Sequence, residues 1–285
     1  MLRLLFVIFL LGLATNSFAE PVKVIWGRTD FPPYTIVRGD NAGKGVTDQM
    51  IDFYIAHLPQ YQHEKIVGSL QRVLTHMKSG HTICHGSLLW KKERTEFAEY
   101  LEPNMLVFAN GVLTTKRNLK NFKPYMVDAH TIDFERLVSE SHLKIRYHAE
   151  RSYSDVIDDV ISRYAGKSPV LVRKTGLKET DREMQLLLDG RLDAILGRPE
   201  EGLFALQELK RKNQLMFLTI KGHKPYLKTQ IACAKGAWND QFIKDVNAVT
   251  RKYRKSKIMS DYYIKWLPEN LGTTYRQLLQ NVFAE

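Results

Sequence analysis

The sequence is expected to fold as an open α/β protein built on two sheets. Strand-like and helix-like runs alternate along its whole length, turn residues separate them, and 285 residues leave room for two cores of ordinary size. The first 19 residues stand apart from that fold. Arg3 gives a positive start, residues 4–13 are apolar, and Ser17-Phe18-Ala19 reads as a small-x-small cleavage site. That is a secretory signal peptide, cut after Ala19 and too short to span a bilayer. No later segment approaches the roughly 20 apolar residues that a spanning helix needs. No cysteine follows Ala19, so nothing suggests a lipid anchor.

The elements follow in order. Residues 22–26 read as a strand and lead into a turn-rich stretch, 27–33. Residues 46–58 carry apolar side chains at helical spacing and stop at Pro59. Ser69 is placed to cap a helix whose Leu70, Val73, Leu74 and Met77 form an i, i+3, i+4, i+7 stripe ending at Gly80. A strand around Cys84 comes next, then an apolar run at 105–114 that could cross between two units. The second unit is expected to contain strands at 143–148, 169–173, 192–196 and 215–220. Its first helix, at 154–164, turns Val156, Ile157, Val160 and Ile161 inward. Thr180-x-x-Glu183 reads as a capping box for a helix closed by Gly190, and Pro199 as the first residue of a helix to 210. A returning strand at 229–234 and helices at 239–252 and 256–266 complete the chain.

Without Arg3 the chain carries 41 Lys and Arg against 31 Asp and Glu. Such a basic balance favours anionic partners: acidic small molecules, phosphate groups or an anionic envelope surface. Part of it is also ordinary solvated helix surface, as in Lys210-Arg211-Lys212. An exported chain with no nucleic-acid motif argues against nucleic acid. Cys84 and Cys233 permit one disulfide or two buried thiols. His81-x-x-Cys84-His85 does not make a zinc site, because adjacent strand residues point to opposite faces and no second ligand pair is at hand. No cofactor is expected.

The segment Gly86-Ser87-Leu88-Leu89-Trp90-Lys91-Lys92-Glu93-Arg94, running on to Tyr100 and Pro103, resembles a stretch of the periplasmic solute-binding proteins of family 3, the amino-acid-binding type. In that family an arginine after a strand grips the ligand carboxylate. Arg94 matches it, while Lys91 stands where a threonine is expected. A carboxylate taken out of water suits a planar, permanently charged donor able to bind it through two N–H groups. Further likenesses follow in the family's order. They include Asp30-Phe31-Pro32-Pro33-Tyr34-Thr35, a stiff loop offering aromatic rings, and Gly43 to Asp48 at a helix entry. Leu188-Asp189-Gly190-Arg191-Leu192-Asp193-Ala194 and the crossover strand Ile231 to Gly236 continue the series.

The resemblance implies the type II periplasmic binding protein fold, two α/β lobes joined by two crossovers. Lobe one would be 20–108 plus 228–285, and lobe two 109–227, with ligand held between them and closure by a hinge. It also brings Cys84 and Cys233 towards one lobe. The implied ligand set is Arg94, with Phe31, Tyr34 and Trp90 lining the cleft, and Ser152, Tyr153 and Ser154 opening a lobe-two helix. One departure stands out. Five positions after Asp193, where the family usually places an acidic group for the ligand's ammonium, this chain has Arg198, which cannot accept a hydrogen bond; as a ligand-binding residue facing Arg94 across the cleft, it would suit a molecule with two anionic groups. Glu200 or Glu201 could substitute, or could be helix first-turn residues.

The expected function is therefore capture of a small anionic, carboxylate-bearing ligand by a monomeric periplasmic protein that feeds a transporter or sensor. Two alternatives stay open. One is an exported enzyme of the same fold, like the relatives that dehydrate cyclic carboxylic acids, with Glu200, Glu201, His85 or Lys91 available for proton transfer. The other is an envelope interaction protein with a repurposed cleft.

Overall fold

The computed structural model describes residues 20–175, 180–267 and 272–284. The expected signal peptide and the capping side chain of Thr180 lie outside the described residues. In chain order the elements are β1 (Lys23–Arg28), α1 (Val46–His57), β2 (Gln62–Val67), α2 (Leu70–Lys78), β3 (Ile83–Leu88), β4 (Ala98–Phe108) and β5 (Gly111–Thr115). Then come β6 (Thr131–Ile132), α3 (Phe134–Glu140), β7 (Ile145–His148), α4 (Asp155–Tyr164), β8 (Leu171–Lys174), α5 (Thr180–Leu188), β9 (Ala194–Gly197) and α6 (Pro199–Glu208). The chain ends with β10 (Leu215–Ile220), β11 (Tyr226–Ala234), α7 (Asp240–Tyr253), α8 (Lys257–Ile264) and α9 (Gly272–Val282).

The strands form two sheets, ordered β2-β1-β3-β11-β4 and β6-β10-β5-β9-β7-β8. In the first, β1 pairs parallel with β2 and β3, while β11 runs antiparallel to β3 and β4. In the second, β7 pairs parallel with β8 and β9, and β5 runs antiparallel to β9 and β10. Each sheet has its own core. Trp26, Tyr54, Phe242 and Tyr263 anchor the first, Phe122, Ile145, Ile157 and Leu218 the second.

The chain crosses between the sheets twice. The expected single run at 105–114 is two strands of different sheets, broken at Ala109-Asn110. The return crossing lies between β10 and β11. Pairing of β4 with β11 persists to the crossing itself, with Tyr226 opposite Phe108 and the Ala109 N–H donating to the Pro225 carbonyl at 3.1 Å.

Local chemistry explains the element starts. Ser69 accepts from the Arg72 N–H at 3.2 Å to open α2, and Ser256 does the same for α8 through Met259 at 3.3 Å. Asp48 takes the free N–H of Gly45 at 3.2 Å and is gripped by Arg28, which pins the entry of α1 against β1. Cys84 and Cys233 sit opposite each other in the β3–β11 register and are joined by a disulfide.

Candidate ligand-binding cleft

A cavity of about 360 Å³ opens between the two sheets. The first sheet's side supplies Thr29, Asp30, Phe31 and Tyr34 from the loop after β1, Leu70 from α2, and His85, Leu88, Leu89 and Arg94 from β3 and beyond. The other side supplies His148, Glu150, Arg151 and Ser152 from the carboxyl end of β7, and Arg198 at the start of α6. Crevices outside the carboxyl ends of strands are where open α/β sheets hold ligands.

Arg94 is 6 % exposed, held in a short 3₁₀ turn at Lys92–Glu96. One terminal nitrogen donates to the Leu89 carbonyl at 3.3 Å, the other to the Glu150 carbonyl at 3.1 Å, so its side chain reaches from one half of the fold to the other. The other arginines of the cavity wall have a carboxylate, Arg151 and Arg198 both meeting Glu201, and nearby Lys91 meets Glu93 and Asp158. Arg94 has none within ion-pair distance among the described residues.

The position expected to hold an ammonium is built the opposite way. Arg151 binds Glu201 through two nitrogens, at 2.9 and 2.6 Å, and reaches the Asn110 side-chain oxygen at 2.6 Å. Arg198 donates to the Phe108 carbonyl at 2.9 Å and approaches Glu201 at 3.5 Å. One carboxylate is thus shared by two guanidinium groups and has little affinity left for a third cation. The Arg151 guanidinium also stacks 4.6 Å from the Phe31 ring and 4.8 Å from that of Tyr153.

Glu200 does not face the cavity. It accepts hydrogen bonds from the hydroxyls of Tyr34 and Tyr263, joining the second sheet's half to the first. Burial, outweighing the attraction of Arg198, pushes its pKa up.

Of the residues that the sequence pointed to, Arg94, Phe31, Tyr34, Ser152 and Arg198 border the cavity together. Phe31 and Tyr34 stack with ring centres 5.2 Å apart. Trp90, Tyr153 and Ser154 are not among the lining residues. Trp90 is 50 % exposed, turned to solvent. Tyr153 is buried in the second core, where its hydroxyl receives the His148 N–H at 2.8 Å, and Ser154 meets the His223 ring at 2.7 Å. Ser152 gives its hydroxyl hydrogen to Asp158 at 2.7 Å.

Sequence reasoning missed Arg151 and His148. His148 is the last residue of β7 and Arg151 follows in the loop directly before Ser152, so position after a strand end was the signal that could have found them. His148 meets Glu183 at 2.9 Å. Among the described residues no group of three His, Cys, Asp or Glu side chains is placed to hold a metal ion.

No protein-family model matches the sequence, and no curated protein matches it significantly. Solved structures resemble it. A histidine kinase sensor domain with similarity to periplasmic binding proteins superposes with TM-score 0.64 at 16 % identity, covering 87 % of this chain and 96 % of that one. The substrate-binding protein of an amino-acid ABC transporter gives 0.61 at 18 %, covering 86 % and 99 %. An ancestral amino-acid-binding protein, a precursor of cyclohexadienyl dehydratase, gives 0.63 at 14 %, covering 87 % and 95 %. Two mixed sheets, two crossovers and a cleft between them give this chain the fold of the type II periplasmic binding proteins.

Proposed function

We propose that the protein is a periplasmic solute-binding protein that captures a small carboxylate-bearing ligand between two lobes, 20–108 with 228–285 and 109–227. It would do so as a monomer, exported by its signal peptide, and would deliver the ligand or its signal to a membrane transporter or sensor.

The observation that carries this reading is Arg94, a buried guanidinium on the cavity wall that donates to two backbone carbonyls and has no carboxylate within ion-pair distance among the described residues. A buried charge is costly unless paired. Carbonyl dipoles compensate it in part, and a ligand carboxylate would complete the pairing with bonds strengthened by both charges. The shared Glu201 supports a ligand without an ammonium group.

Titration calorimetry of the mature protein against neutral and acidic organic molecules tests the proposal. Carboxylates are expected to bind, and Arg94→Ala to weaken them about 100-fold, on the order of 3 kcal/mol. Carboxylate affinity unchanged in that variant, with folding confirmed by circular dichroism, would overturn the reading.

One observation favours a second reading, an exported lyase. His148 lies on the cavity wall with the Glu183 carboxylate behind it, an arrangement suited to proton transfer. NMR of a bound carboxylate during long incubation separates the two. An unchanged ligand spectrum supports binding alone; turnover lost in His148→Gln would support the enzyme.

A further inference from the structure

Ser154 stands at the start of α4 with φ 101° and ψ 167°, a backbone region that is essentially reserved for glycine. A serine there would ordinarily cap its helix, yet this hydroxyl makes no cap hydrogen bond. It turns instead to His223, 69 residues on in the return crossing, and meets the ring's Nε2 at 2.7 Å. Nδ1 of that ring lies 2.8 Å from the Lys224 carbonyl. A carbonyl only accepts, so Nδ1 carries the proton of the neutral ring and Nε2 accepts from the serine hydroxyl. Neither residue is among those lining the cleft cavity, and both are partly exposed.

A hydroxyl donating to an unprotonated ring nitrogen, with the ring oriented by a third group, is the arrangement that makes serine a nucleophile. Here the third group is a carbonyl rather than a carboxylate. The Tyr153 carbonyl adds to it, 3.2 Å from Nε2 and itself receiving the Asn110 side-chain N–H at 3.2 Å. Once Nε2 takes the serine proton, the ring has an acceptor for each of its two N–H groups, and two carbonyl dipoles stabilise the imidazolium. The strained backbone at Ser154 is what carries the hydroxyl to the ring and away from the helix.

We propose that Ser154 and His223 form a reactive site outside the cleft, which hydrolyses small uncharged carboxylic esters through an acyl-serine. Oγ attacks the ester carbonyl carbon as its proton passes to Nε2. The bond to the leaving alcohol breaks, the alcohol takes up that proton, and the acyl group stays on Oγ. Water, giving a proton to the same nitrogen, then releases the acid, and the proton returns to the serine. The N–H of Asp155, next in the chain, has no partner within the helix and is available to the oxygen that becomes negative. The exposed Asp155 carboxylate disfavours an anionic acyl group, while Val156, 39 % exposed, offers an apolar contact.

Diisopropyl fluorophosphate and p-nitrophenyl acetate test this on the mature protein. The fluorophosphate is expected to label the folded chain on the peptide carrying Ser154, read by mass spectrometry, and to leave that peptide unlabelled in urea. His223→Gln can still accept from the hydroxyl but cannot hold its proton. With folding confirmed by circular dichroism, it is expected to slow labelling about 100-fold. Labelling of the parent should also slow in acid, where a protonated ring no longer accepts. Ser154→Ala is expected to abolish the label and to lower p-nitrophenyl acetate hydrolysis about tenfold, the acetyl group being found on Ser154 in the parent. No label on Ser154 in the folded parent overturns the proposal. So does labelling undiminished in His223→Gln, which would mean that the ring only ties the turn in place. Ester hydrolysis unchanged in Ser154→Ala overturns it as well, because a histidine would then act on the ester without an acyl-serine. None of these outcomes depends on whether the cleft binds a carboxylate.

Discussion

Glu200 has no accessible surface, yet its Oε1 receives two tyrosine hydroxyls while its Oε2 has no hydrogen-bond partner among the described residues. Tyr34 and Tyr263 face it from the first sheet's half, Tyr275 lies close by on α9, and Arg198 and Glu201 flank it on its own segment. Its pKa is raised, so the folded state keeps the proton over a range where the unfolded chain releases it. In that range the native state binds more protons, and stability falls as pH rises from the ordinary carboxylate value towards the folded one. Glu200→Gln removes the titration while keeping an oxygen for the tyrosines. Calorimetric scanning should find its Tm roughly 2–4 °C above the parent at pH 8 and level with it at pH 4. A gain equal at both pH values would mean that packing, not ionisation, is responsible. Cleft residues divide at this scale according to what a pattern can encode. Arg94 and Tyr34 were legible because motif order placed them. Tyr153 was not, because strand-end geometry sends Ser152 to the cavity and its neighbour into the core.

Among the elements, β5 leaves no room for a side chain at its first residue. A side-chain carbon added at Gly111 would lie 2.4 Å from the Leu218 carbonyl oxygen and 2.7 Å from the Phe217 ring. The carbonyl belongs to the paired strand β10 and cannot step aside without breaking the ladder. Gly111→Ala is expected to cost about 3 kcal/mol, read as a lower urea midpoint with an unchanged slope. Most elements could be read from caps and stripes: Ser69, Pro199 and Ser256 mark starts that the structure shares. The strand β2 was missed because it is a polar sheet edge, with the exposed Gln62, Glu64 and Lys65 leaving no alternation to detect. The helix α9 was missed because its buried face rests mainly on Tyr275 and Leu279, too sparse a stripe in a polar run. The run at 105–114 read as one element because apolar periodicity does not record which sheet a strand joins.

Across the whole molecule, the halves meet through Arg94 to Glu150, Lys91 to Asp158 at 3.5 Å, Arg198 to Phe108, Glu200 to its two tyrosines, the Arg151–Phe31 stack and an edge-on Phe204–Trp266 pair. The disulfide lies instead within the first sheet, joining β3 to β11 across a sequence separation of 149 residues. Closing so long a loop restricts the unfolded chain, so replacing both Cys84 and Cys233 by serine should cost about 3–5 kcal/mol in urea unfolding. Reductant should reproduce that loss in the parent and add nothing in the double variant.

That same bond gives the backbone the topology of a lasso. All of β5 to β10 lies inside the ring it closes, so the second sheet and its helices are a covalent excursion from the first. A protease nick anywhere in that excursion leaves one molecule, with both cut ends still leashed to β3 and β11. Two fragments separate on a gel only once the bond is reduced.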